Sequence, residues 1–458
     1  MEISIVGTGY VGLVTGLGLA EHGHHVTAVD ISEEIVNLLN CGQVPIHEEG
    51  LDTLLAHMRG AGRFFATTNL RDALHQSDVT MICVGTPTVD GSIDLQYVKQ
   101  AVIDTGTELR DKSKYHTVVI KSTVLPCTTD SFVLSLLEDA SGKSLGEFGL
   151  GMNPEFLREG SALNDFRNPD RIVLGADDKR SAHSLRQLYA SWDVDLVEVN
   201  TRTAEMIKYA NNCLLATQIS ASNELANLAA TLGDIDAFEV MRGIHLDARW
   251  NPVQNGQRVN PRILDYLLPG CGFGGSCFPK DLSAIATLGT QLDLPMQLLS
   301  AVLDVNRAQP HQVSVILEKL MGSLEGKKVA VLGLAFKPKT DDVRESPALD
   351  IICDLLSKGA KVTGADPIAH LNAKQVMIEL DDVTVFMDWT DAVDGADATV
   401  IVTYWDEYIN LPLDRLKALM AGDVLMDSRG VLPPWQYDKA RDLDLRVCKI
   451  GFTWKNDG

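Results

Sequence analysis

Short apolar runs alternate with helical patterns through the first 200 residues of the chain. The candidate strands are ISIVG, HVTAVD, VTMICVG, HTVVIKST, LGMNPE and DRIVLG. This alternation predicts parallel β-α-β units, which bind ligands at the carboxyl ends of their strands. The same pattern returns near Gly326, where KKVAVLGLAF, KVTGADP, ATVIVTYW and DVLMDSR are candidate strands and SPALDIICDLLSKG is a candidate helix.

The segment between these two regions has a helical pattern instead. From Thr201 the sequence TRTAEMIKYANNCLLATQISASNELANLAATLG contains no proline, and no glycine before Gly233. Its apolar residues recur at helical spacing, which predicts one long helix in a mostly helical middle domain. The predicted domains are therefore 1–200, 201–310 and 311–458.

The long helix is apolar on more than one face, so it should be buried on more than one side. We therefore expect the helix to form the interface of a homodimer. The apolar residues concerned include Leu214, Leu215, Ile219, Leu225 and Leu228.

Composition limits the possible functions of this chain of 458 residues. A hydrophobic content of 45% with no long apolar run predicts a globular protein that does not cross a membrane. The formal charge of −22 argues against nonspecific binding to nucleic acid or anionic membranes. The N-terminus enters a strand pattern without a signal sequence, and the eight cysteines form no CxxC pair. We therefore expect a cytoplasmic protein, and no metal site is predicted.

A dinucleotide site is predicted at GTGYVG, where Gly7, Gly9 and Gly12 match a GxGxxG pattern. The motif follows a candidate strand and opens a helix, and Asp30 closes the next strand. The glycines let backbone approach a pyrophosphate, and the acid binds ribose hydroxyls. Because a carboxylate repels a 2′-phosphate, we expect NAD rather than NADP. The alternative is a glycine turn in some other β-α protein.

Two pairs of polar residues suit catalysis at an oxygen atom. Lys208 and Asn212 share one face of the long helix and could stabilise an oxyanion. Glu155 and Glu159, in NPEFLREG, could activate water. Each pair also has a noncatalytic explanation. Lys208 and Asn212 could be solvated residues on the surface of the helix, and Glu155 and Glu159 could be acidic residues that complement the dipole at a helix N-terminus.

The stretch GCGFGGSCFPKD, at 270–281, is too rich in glycine for a helix or strand interior. It carries Cys277, followed by Lys280 and Asp281. A cysteine near a cation can ionise and act as a nucleophile, whereas a small apolar residue in a tight turn is the alternative. The other cysteines mostly lie in apolar runs, where we expect them in the core.

Taken together, these motifs resemble the UDP-glucose/GDP-mannose dehydrogenase family over nearly the whole chain. The resemblance also runs through VGTPT, KSTV, EMIKYANN and GLAFKPKTDDVRESPA. It implies an α/β fold of two Rossmann-like, doubly wound domains joined by a long central helix at a dimer interface. The second of these domains would bind the nucleotide sugar.

The resemblance also implies roles for individual residues. The cofactor contacts would be Gly7, Gly9, Tyr10, Val11, Gly12, Asp30, Thr86, Thr123, Glu159, Lys280 and Arg344. The catalytic residues would be Cys277, Lys208, Asn212, Asp281, Thr123 and Glu159. The substrate contacts would be Glu155, Phe156, Leu157, Arg158, Glu159, Lys208, Asn212, Arg249, Arg262, Tyr266, Leu267, Leu268, Pro269, Gly270, Gly274 and Lys337.

The reaction implied is the four-electron oxidation of UDP-glucose at C6 to UDP-glucuronate with two NAD. Cys277 would capture the intermediate aldehyde as a thiohemiacetal, which becomes a thioester and is hydrolysed. Another nucleotide sugar is the alternative within the family: a UDP-N-acetylhexosamine, TDP-glucose or GDP-mannose. A two-electron NAD dehydrogenase and a nonenzymatic NAD sensor are alternatives of other classes.

Two features depart from the family pattern. Ile35 stands where the family often has a basic residue near the adenosine. In most family members a D-x-R-I-G motif leads almost directly into the segment that corresponds to YLLPG. Here the corresponding segment, LDARWNPVQNGQRVNPRILDYLLPG, is about a dozen residues longer. Either Arg249 or Arg262 could therefore be the arginine that reaches the sugar bound by the neighbouring subunit.

Overall fold

The computed structural model of the chain describes residues 1–89 and 91–452. The chain forms two compact units, one spanning Met1–Asn211 and the other beginning at Asn212. The predicted boundaries at residues 200 and 310 stay a prediction, and the last residues of the third predicted domain, 453–458, lie outside the described residues.

The first unit is built on a sheet with the strand order β10-β9-β8-β7-β4-β1-β2-β3. Neighbouring strands are parallel, except that β8 and β9 are antiparallel. Strands β5 and β6 form a short antiparallel hairpin outside this sheet. The strands are β1 (Glu2–Val6), β2 (His25–Val29), β3 (Phe64–Thr67), β4 (Val79–Ile82), β5 (Thr88–Val89), β6 (Ser92–Ile93), β7 (Thr117–Ile120), β8 (Gly149–Met152), β9 (Ile172–Ala176) and β10 (Leu196–Val199).

Helices connect these strands. They are α1 (Tyr10–Glu21), α2 (Glu33–Asn40), α3 (Leu51–Gly60), α4 (Leu70–Gln76), α5 (Gln96–Arg110), a π-helical turn (Thr128–Val133), α6 (Leu134–Ser141), α7 (Ala162–Arg167) and α8 (Lys179–Leu188). The central strands β4, β7 and β8 are buried along their whole length, as expected for a sheet covered by helices on both faces.

The second unit carries a parallel sheet with the order β15-β14-β13-β16-β17-β18 and a short hairpin, β11–β12. The strands are β11 (Val253–Gln254), β12 (Gln257–Arg258), β13 (Lys328–Leu332), β14 (Lys361–Ala365), β15 (Val383–Phe386), β16 (Ala398–Ile401), β17 (Val424–Asp427) and β18 (Arg446–Lys449). The helices are α10 (Ala237–Ile244), a 3₁₀ helix (Arg262–Leu267), α11 (Phe278–Gln291), α12 (Gln297–Ala308), α13 (His311–Met321), α14 (Pro347–Ser357), α15 (His370–Val376), α16 (Trp389–Val393), α17 (Asp406–Ile409), α18 (Leu413–Leu419) and α19 (Pro434–Asp442).

Both sheets reverse their strand order beside their first strand, at β1–β4 and at β13–β16. In doubly wound sheets this reversal opens a ligand crevice at the carboxyl ends of the strands. The predicted α/β fold with two Rossmann-like sheets is therefore confirmed. The antiparallel pair β8–β9 is a difference from the purely parallel arrangement that the strand pattern predicted.

The predicted long helix is α9, Thr201–Leu232, and Gly233 follows it with a φ of +74°. A left-handed glycine after the last turn is a common helix terminator. Leu214, Leu225 and Leu228 are exposed, and so is Leu232. Their spacing of 11, 14 and 18 residues from Leu214 places them on one stripe of the helix, because each interval is close to a whole number of turns.

Candidate functional site

The dinucleotide turn has the geometry that a pyrophosphate requires. Gly7 follows β1 with a φ of +91°, a conformation that side chains disfavour. A Cβ on Gly12 would lie 1.9 Å from the Gly7 carbonyl oxygen, so the turn packs directly on the start of α1. Gly9 precedes α1, and a Cβ added there would meet no described atom within 4 Å. The helix N-terminus is thus open beside Gly9, where an anion would bind.

Asp30 follows β2 and is held by this same turn. Its carboxylate accepts hydrogen bonds from the Thr8 amide at 2.9 Å, the Thr8 hydroxyl at 2.6 Å and the Ser32 amide at 3.0 Å. Asp30 is half-buried, and a carboxylate can accept further bonds at its remaining lone pairs. The turn and the carboxylate together fit the pyrophosphate and adenosine ribose of NAD.

Thr86 and Thr123 lie in the loops that follow the neighbouring strands β4 and β7. The Ser122 hydroxyl ties these loops together by donating to the Val84 carbonyl at 2.6 Å. Both threonines are half-buried at the carboxyl edge of the sheet. This is the edge at which a Rossmann-like sheet binds its cofactor.

The loop after β8 carries a buried ion pair. The Lys208 ammonium lies 2.6 Å from a carboxylate oxygen of Glu155, and both side chains are at most 7% exposed. Burial opposes ionisation of Glu155, but the Lys208 charge and hydrogen bond outweigh it and lower the pKa of the carboxyl group. The Leu157 amide donates to the other carboxylate oxygen at 2.6 Å.

The rest of this loop is also fixed within the first unit. The Arg158 backbone amide and guanidinium bind Asp165 at 2.6–3.0 Å, and the Arg171 guanidinium lies 4.0 Å from the centre of the Phe156 ring. Glu159 is half-buried. The structure thus groups the predicted residues 155–159 with Lys208.

Lys121 is a buried cation that the sequence analysis missed. Its ammonium donates to the Asn153 side-chain oxygen at 2.9 Å. Burial lowers the pKa of Lys121 to about 8, partly opposed by Cys83 and Glu155. The apolar run that precedes it gave no sign that a lysine would be buried here.

In the second unit, Cys277 occupies the N-cap position of α11, and Pro279 lies in the first turn of that helix. Asp281 follows one turn later, and its amide donates to the Cys277 carbonyl at 2.9 Å. The positive end of a helix stabilises a thiolate at this position. Cys277 is half-buried, unlike the buried Cys271 six residues earlier.

Asp281 joins two other predicted residues. Its buried carboxylate accepts from the Asn212 side chain at 2.7 Å and from the Lys280 ammonium at 2.6 Å. Burial, followed by the charge of Asp281, raises the pKa of Cys213 to about 12. The structure therefore places Asn212, Lys280 and Asp281 in one cluster, one helical turn from Cys277. Lys208 is bonded within the first unit.

The glycines before Cys277 pack on the segment 333–348 of the same unit. A Cβ on Gly274 would lie 1.9 Å from the Glu345 carbonyl oxygen, and one on Gly275 would lie 2.5 Å from the Phe336 ring. The Gly275 amide donates to the Arg344 carbonyl at 3.0 Å. Only glycine fits at these two positions, because the loop lies directly against the segment that carries Lys337 and Arg344.

The predicted substrate contacts at residues 266–270 form a loop that is held by hydrogen bonds to α9. The Ser222 hydroxyl donates to the Leu267 carbonyl at 2.5 Å, and the Gly270 amide donates to the Asn223 side chain at 2.8 Å. Tyr266 is half-buried, Leu267, Pro269 and Gly270 are buried, and Leu268 is exposed. The side chain of Arg429, two residues after β17, would lie 3.2 Å from a Cβ added to Gly270. The sequence analysis did not single out Arg429 as a site residue, although it is the last residue of the candidate strand DVLMDSR.

The two candidate arginines of the extended segment are both exposed. Arg249 forms an ion pair with Asp247, with an N–O distance of 2.5 Å, and Arg262 begins the 3₁₀ helix. Between them the additional residues form the hairpin β11–β12, which Asn251 anchors through hydrogen bonds to Asn260 at 2.8 and 2.9 Å. Which arginine reaches a neighbouring subunit stays a prediction.

The second sheet has the same order of central strands as the dinucleotide-binding sheet, but the acidic residue that corresponds to Asp30 is buried. Asp366 follows β14 as Asp30 follows β2, yet it is fully buried. The Trp405 indole donates to its carboxylate at 3.0 Å, and the amides of Leu334 and Ala335 donate at 2.8 and 3.0 Å. Asp366 is therefore closed to a ribose, whereas Asp30 is not.

Comparison with known proteins gives matches along most of the chain. Three models of the UDP-glucose/GDP-mannose dehydrogenase family match: the NAD binding domain at residues 1–193, the central domain at 202–308 and the UDP binding domain at 330–434. The chain belongs to the UDP-glucose/GDP-mannose dehydrogenase family. The predicted cofactor, NAD, and the predicted enzyme class, an NAD-dependent nucleotide-sugar dehydrogenase, are therefore confirmed.

Individual relatives match over nearly their full length. The UDP-glucose 6-dehydrogenase of Haloferax volcanii is 42% identical, over 94% of this chain and 97% of its own. The GDP-mannose 6-dehydrogenase of Azotobacter vinelandii is 38% identical, over 94% of this chain and 97% of its own. The structure of a UDP-glucose dehydrogenase from Pyrobaculum islandicum superimposes with a TM-score of 0.87 at 39% identity, covering 99% of this chain and 98% of that one.

The described residues contain neither a helix suited to span a membrane nor a cluster of metal-binding side chains. None of their helices combines the length and hydrophobicity needed to cross a membrane. In the same residues, no group of three histidine, cysteine or acidic side chains is arranged to hold a metal ion.

Proposed function

We propose that this enzyme oxidises UDP-glucose at C6 to UDP-glucuronate, with Cys277 as the nucleophile. The observation that carries the proposal is the position of Cys277 at the N-terminus of α11, one turn before the cluster of Asp281, Asn212 and Lys280. A filler cysteine in a tight turn needs neither a helix N-terminus nor buried polar groups beside it. A thiolate nucleophile is stabilised by the helix end.

The residues then divide the reaction between them. Bound NAD supplies the hydride acceptor in each oxidation. Lys208 and Asn212 stabilise the oxyanion at C6 as the alcohol loses its proton and first hydride. The Cys277 thiolate then adds to the aldehyde carbon and forms a thiohemiacetal.

The second half of the reaction releases the acid. The thiohemiacetal loses the second hydride and becomes a thioester. Water, positioned by Thr123, Glu159 and Asp281, attacks the thioester carbon, and the thiolate leaves. In sum, the alcohol and one water become a carboxylate, two NAD are reduced and three protons are released. The covalent bond to Cys277 keeps the reactive aldehyde from escaping between the two oxidations.

The choice of sugar rests on similarity. UDP-glucose is supported by the relatives from Haloferax volcanii and Pyrobaculum islandicum, whose names state that sugar nucleotide. GDP-mannose is the second candidate, because the Azotobacter vinelandii enzyme is nearly as similar. A UDP-N-acetylmannosamine dehydrogenase of Pyrococcus horikoshii is less similar, at 27% identity.

A substrate panel tests this proposal. The enzyme is incubated with excess NAD and a limiting amount of UDP-glucose, GDP-mannose, TDP-glucose or a UDP-N-acetylhexosamine, and NADH is counted per sugar consumed. We expect the highest kcat/KM with UDP-glucose and two NADH for each uronate released. One NADH per sugar would instead support a two-electron dehydrogenase, and a clear preference for GDP-mannose would overturn the substrate assignment.

We also propose that the enzyme works as a homodimer in the cytoplasm, where reducing conditions preserve a free thiol. The support for the dimer is the exposed stripe of Leu214, Leu225, Leu228 and Leu232 on α9. Covering one leucine stabilises by roughly 1.5–3 kcal/mol, so a second copy packed on the stripe gains several such contributions. Sedimentation at micromolar concentration should show no monomer. A fully active species of 49.9 kDa would contradict the dimer.

A further inference from the structure

A buried carboxylate outside every motif discussed above connects two parts of the first unit. Glu48 lies between α2 and α3, and only 5% of it is exposed. One of its oxygens accepts from the Tyr10 hydroxyl and from the Gly160 amide, the latter at 2.8 Å. The other oxygen accepts from the Leu163 amide at 3.2 Å. Tyr10 is 150 residues from Gly160 in sequence, so Glu48 ties two separate segments together.

The first of these segments is the dinucleotide turn. Tyr10 is the fourth residue of GTGYVG and the first residue of α1. Burial raises its pKa, and the hydrogen bond to Glu48 raises it further, so the hydroxyl keeps its proton and remains a donor. Tyr10 also accepts a hydrogen bond from the Gly160 amide at 2.9 Å. A displacement of Tyr10 would therefore break contacts to Glu48 and Gly160 together.

The second segment is the loop 155–160. At its start, Glu155 is fixed by Lys208, and in its middle Arg158 is fixed by Asp165. At its end, Gly160 has a φ of +75° and donates its amide to both Tyr10 and Glu48. The negative charge of Glu159 adds to the factors that raise the pKa of Tyr10, so it too acts on the tyrosine. The end of the loop is thus the part that connects to the cofactor turn.

We propose that Glu48 is a positioning residue that, through Tyr10, couples NAD binding at the dinucleotide turn to the order of the loop 155–160. An anion at the N-terminus of α1 fixes Tyr10, and Glu48 passes this restraint to Gly160. Because coupling between two ligands is reciprocal, a sugar nucleotide held by the loop strengthens NAD binding to the same extent. This second consequence rests on the proposed function, whereas the first depends only on the cofactor.

A simple structural role for Glu48, as a cap for the amide of Leu163 at the start of α7, predicts a different result. Such a cap uses one carboxylate oxygen and does not involve Tyr10. Tyr10→Phe removes only the hydroxyl and leaves Glu48 bonded to Gly160 and Leu163. Glu48→Gln keeps the side-chain size, but the amide nitrogen that replaces one carboxylate oxygen cannot accept a hydrogen bond. It would therefore lose the bond from either the Gly160 amide or the Leu163 amide. Tyr10→Phe is therefore the cleaner variant, and it is informative even if Glu48→Gln does not fold.

The first experiment uses hydrogen exchange on the whole enzyme with and without saturating NADH. In the wild type, NADH should slow exchange in a peptide covering residues 155–163 by about fivefold or more. In Tyr10→Phe and Glu48→Gln this protection should fall below about twofold, measured with each variant saturated by NADH. The controls are Tyr97→Phe and Glu49→Gln, which alter exposed residues of the same types. Unchanged protection in Tyr10→Phe would overturn the proposal.

The second experiment measures the Kd of UDP-glucose by calorimetry, with and without NADH. The wild type should bind UDP-glucose at least about fivefold more tightly when NADH is present, and Tyr10→Phe should reduce that factor to below about twofold. A wild type without coupling, or a Tyr10→Phe variant with full coupling, would contradict the proposal. If UDP-glucose does not bind at all, the proposed substrate is wrong, and the hydrogen-exchange result alone decides the role of Glu48.

Discussion

Replacing Lys208 with methionine tests the buried ion pair with Glu155. Methionine has nearly the length of the lysine stem but no charge, so the carboxylate would stay buried without its cation. Removing one partner of such a pair costs about 3–5 kcal/mol. Lys121 also lowers the pKa of Glu155 and would compensate in part, so we expect a loss near the lower end of that range. For a unit of this size, this corresponds to a fall in Tm of roughly 10 °C.

The pH dependence gives the sharper test. In the wild type the pKa of Glu155 lies below its ordinary value of 4.5, so its stabilising contribution is present above that pH and is lost as pH falls through the lower folded value. In Lys208→Met, burial should raise the pKa instead, and the carboxyl group takes up a proton as pH falls. The Tm difference between wild type and variant should therefore shrink from pH 8 to pH 4.

Scanning fluorimetry of wild type, Lys208→Met, Glu155→Gln and the double variant measures these differences. The double variant should be more stable than Lys208→Met, because the pair leaves no unpaired charge behind. A Tm loss in Lys208→Met that is the same at pH 4 and pH 8, together with purely additive single changes, would refute the argument.

The remaining predictions concern the cofactor turn. Asp30→Ala should reduce the preference for NAD over NADP, measured as the ratio of the two kcat/KM values. A wild-type enzyme that prefers NADP would contradict the assignment of Asp30 as the residue that selects NAD. Gly9→Ala should leave Tm unchanged, because its Cβ meets no described atom within 4 Å, but should weaken NADH binding at least about tenfold. Gly12→Ala should lower Tm as well, because its Cβ would lie 1.9 Å from the Gly7 carbonyl oxygen; normal stability in this variant would contradict that contact.

The sequence predicted those helices and strands whose own residues carry a clear pattern of apolar spacing, glycine or proline. Strand β1 and the glycine turn after it follow from ISIVGTGYVG, and α9 follows from a long run without glycine or proline. Four strands of the two large sheets were missed, namely β3, β10, β15 and β18, and each is a four-residue strand at a sheet edge. Short edge strands are specified mainly by their neighbours.

The parts of the candidate site that depend on neighbouring residues in sequence were predictable, whereas its contacts between distant residues were not. The helical spacing of Cys277 and Asp281 is local, and so is the Asn-Pro turn before Glu155. The pair of Lys208 and Glu155 joins residues 53 apart, and the bond between Asn212 and Asp281 joins residues 69 apart. No periodicity signals contacts of this kind, and neither Lys121 nor Glu48 lies in a pattern that marks a buried charge. Tertiary structure alone supplied them.

The central claim is that Cys277 is the nucleophile, and the most direct measurement is uronate released by Cys277→Ala. Cys271→Ala is the matched control, since Cys271 is buried in the same loop region. We expect Cys277→Ala to release no uronate while it still binds NADH and UDP-glucose with a nearly unchanged Tm, and we expect Cys271→Ala to remain active. Cys277→Ser should turn over several orders of magnitude more slowly, because a hydroxyl ionises far less readily than a thiol. Release of uronate by Cys277→Ala at the wild-type rate would contradict the account.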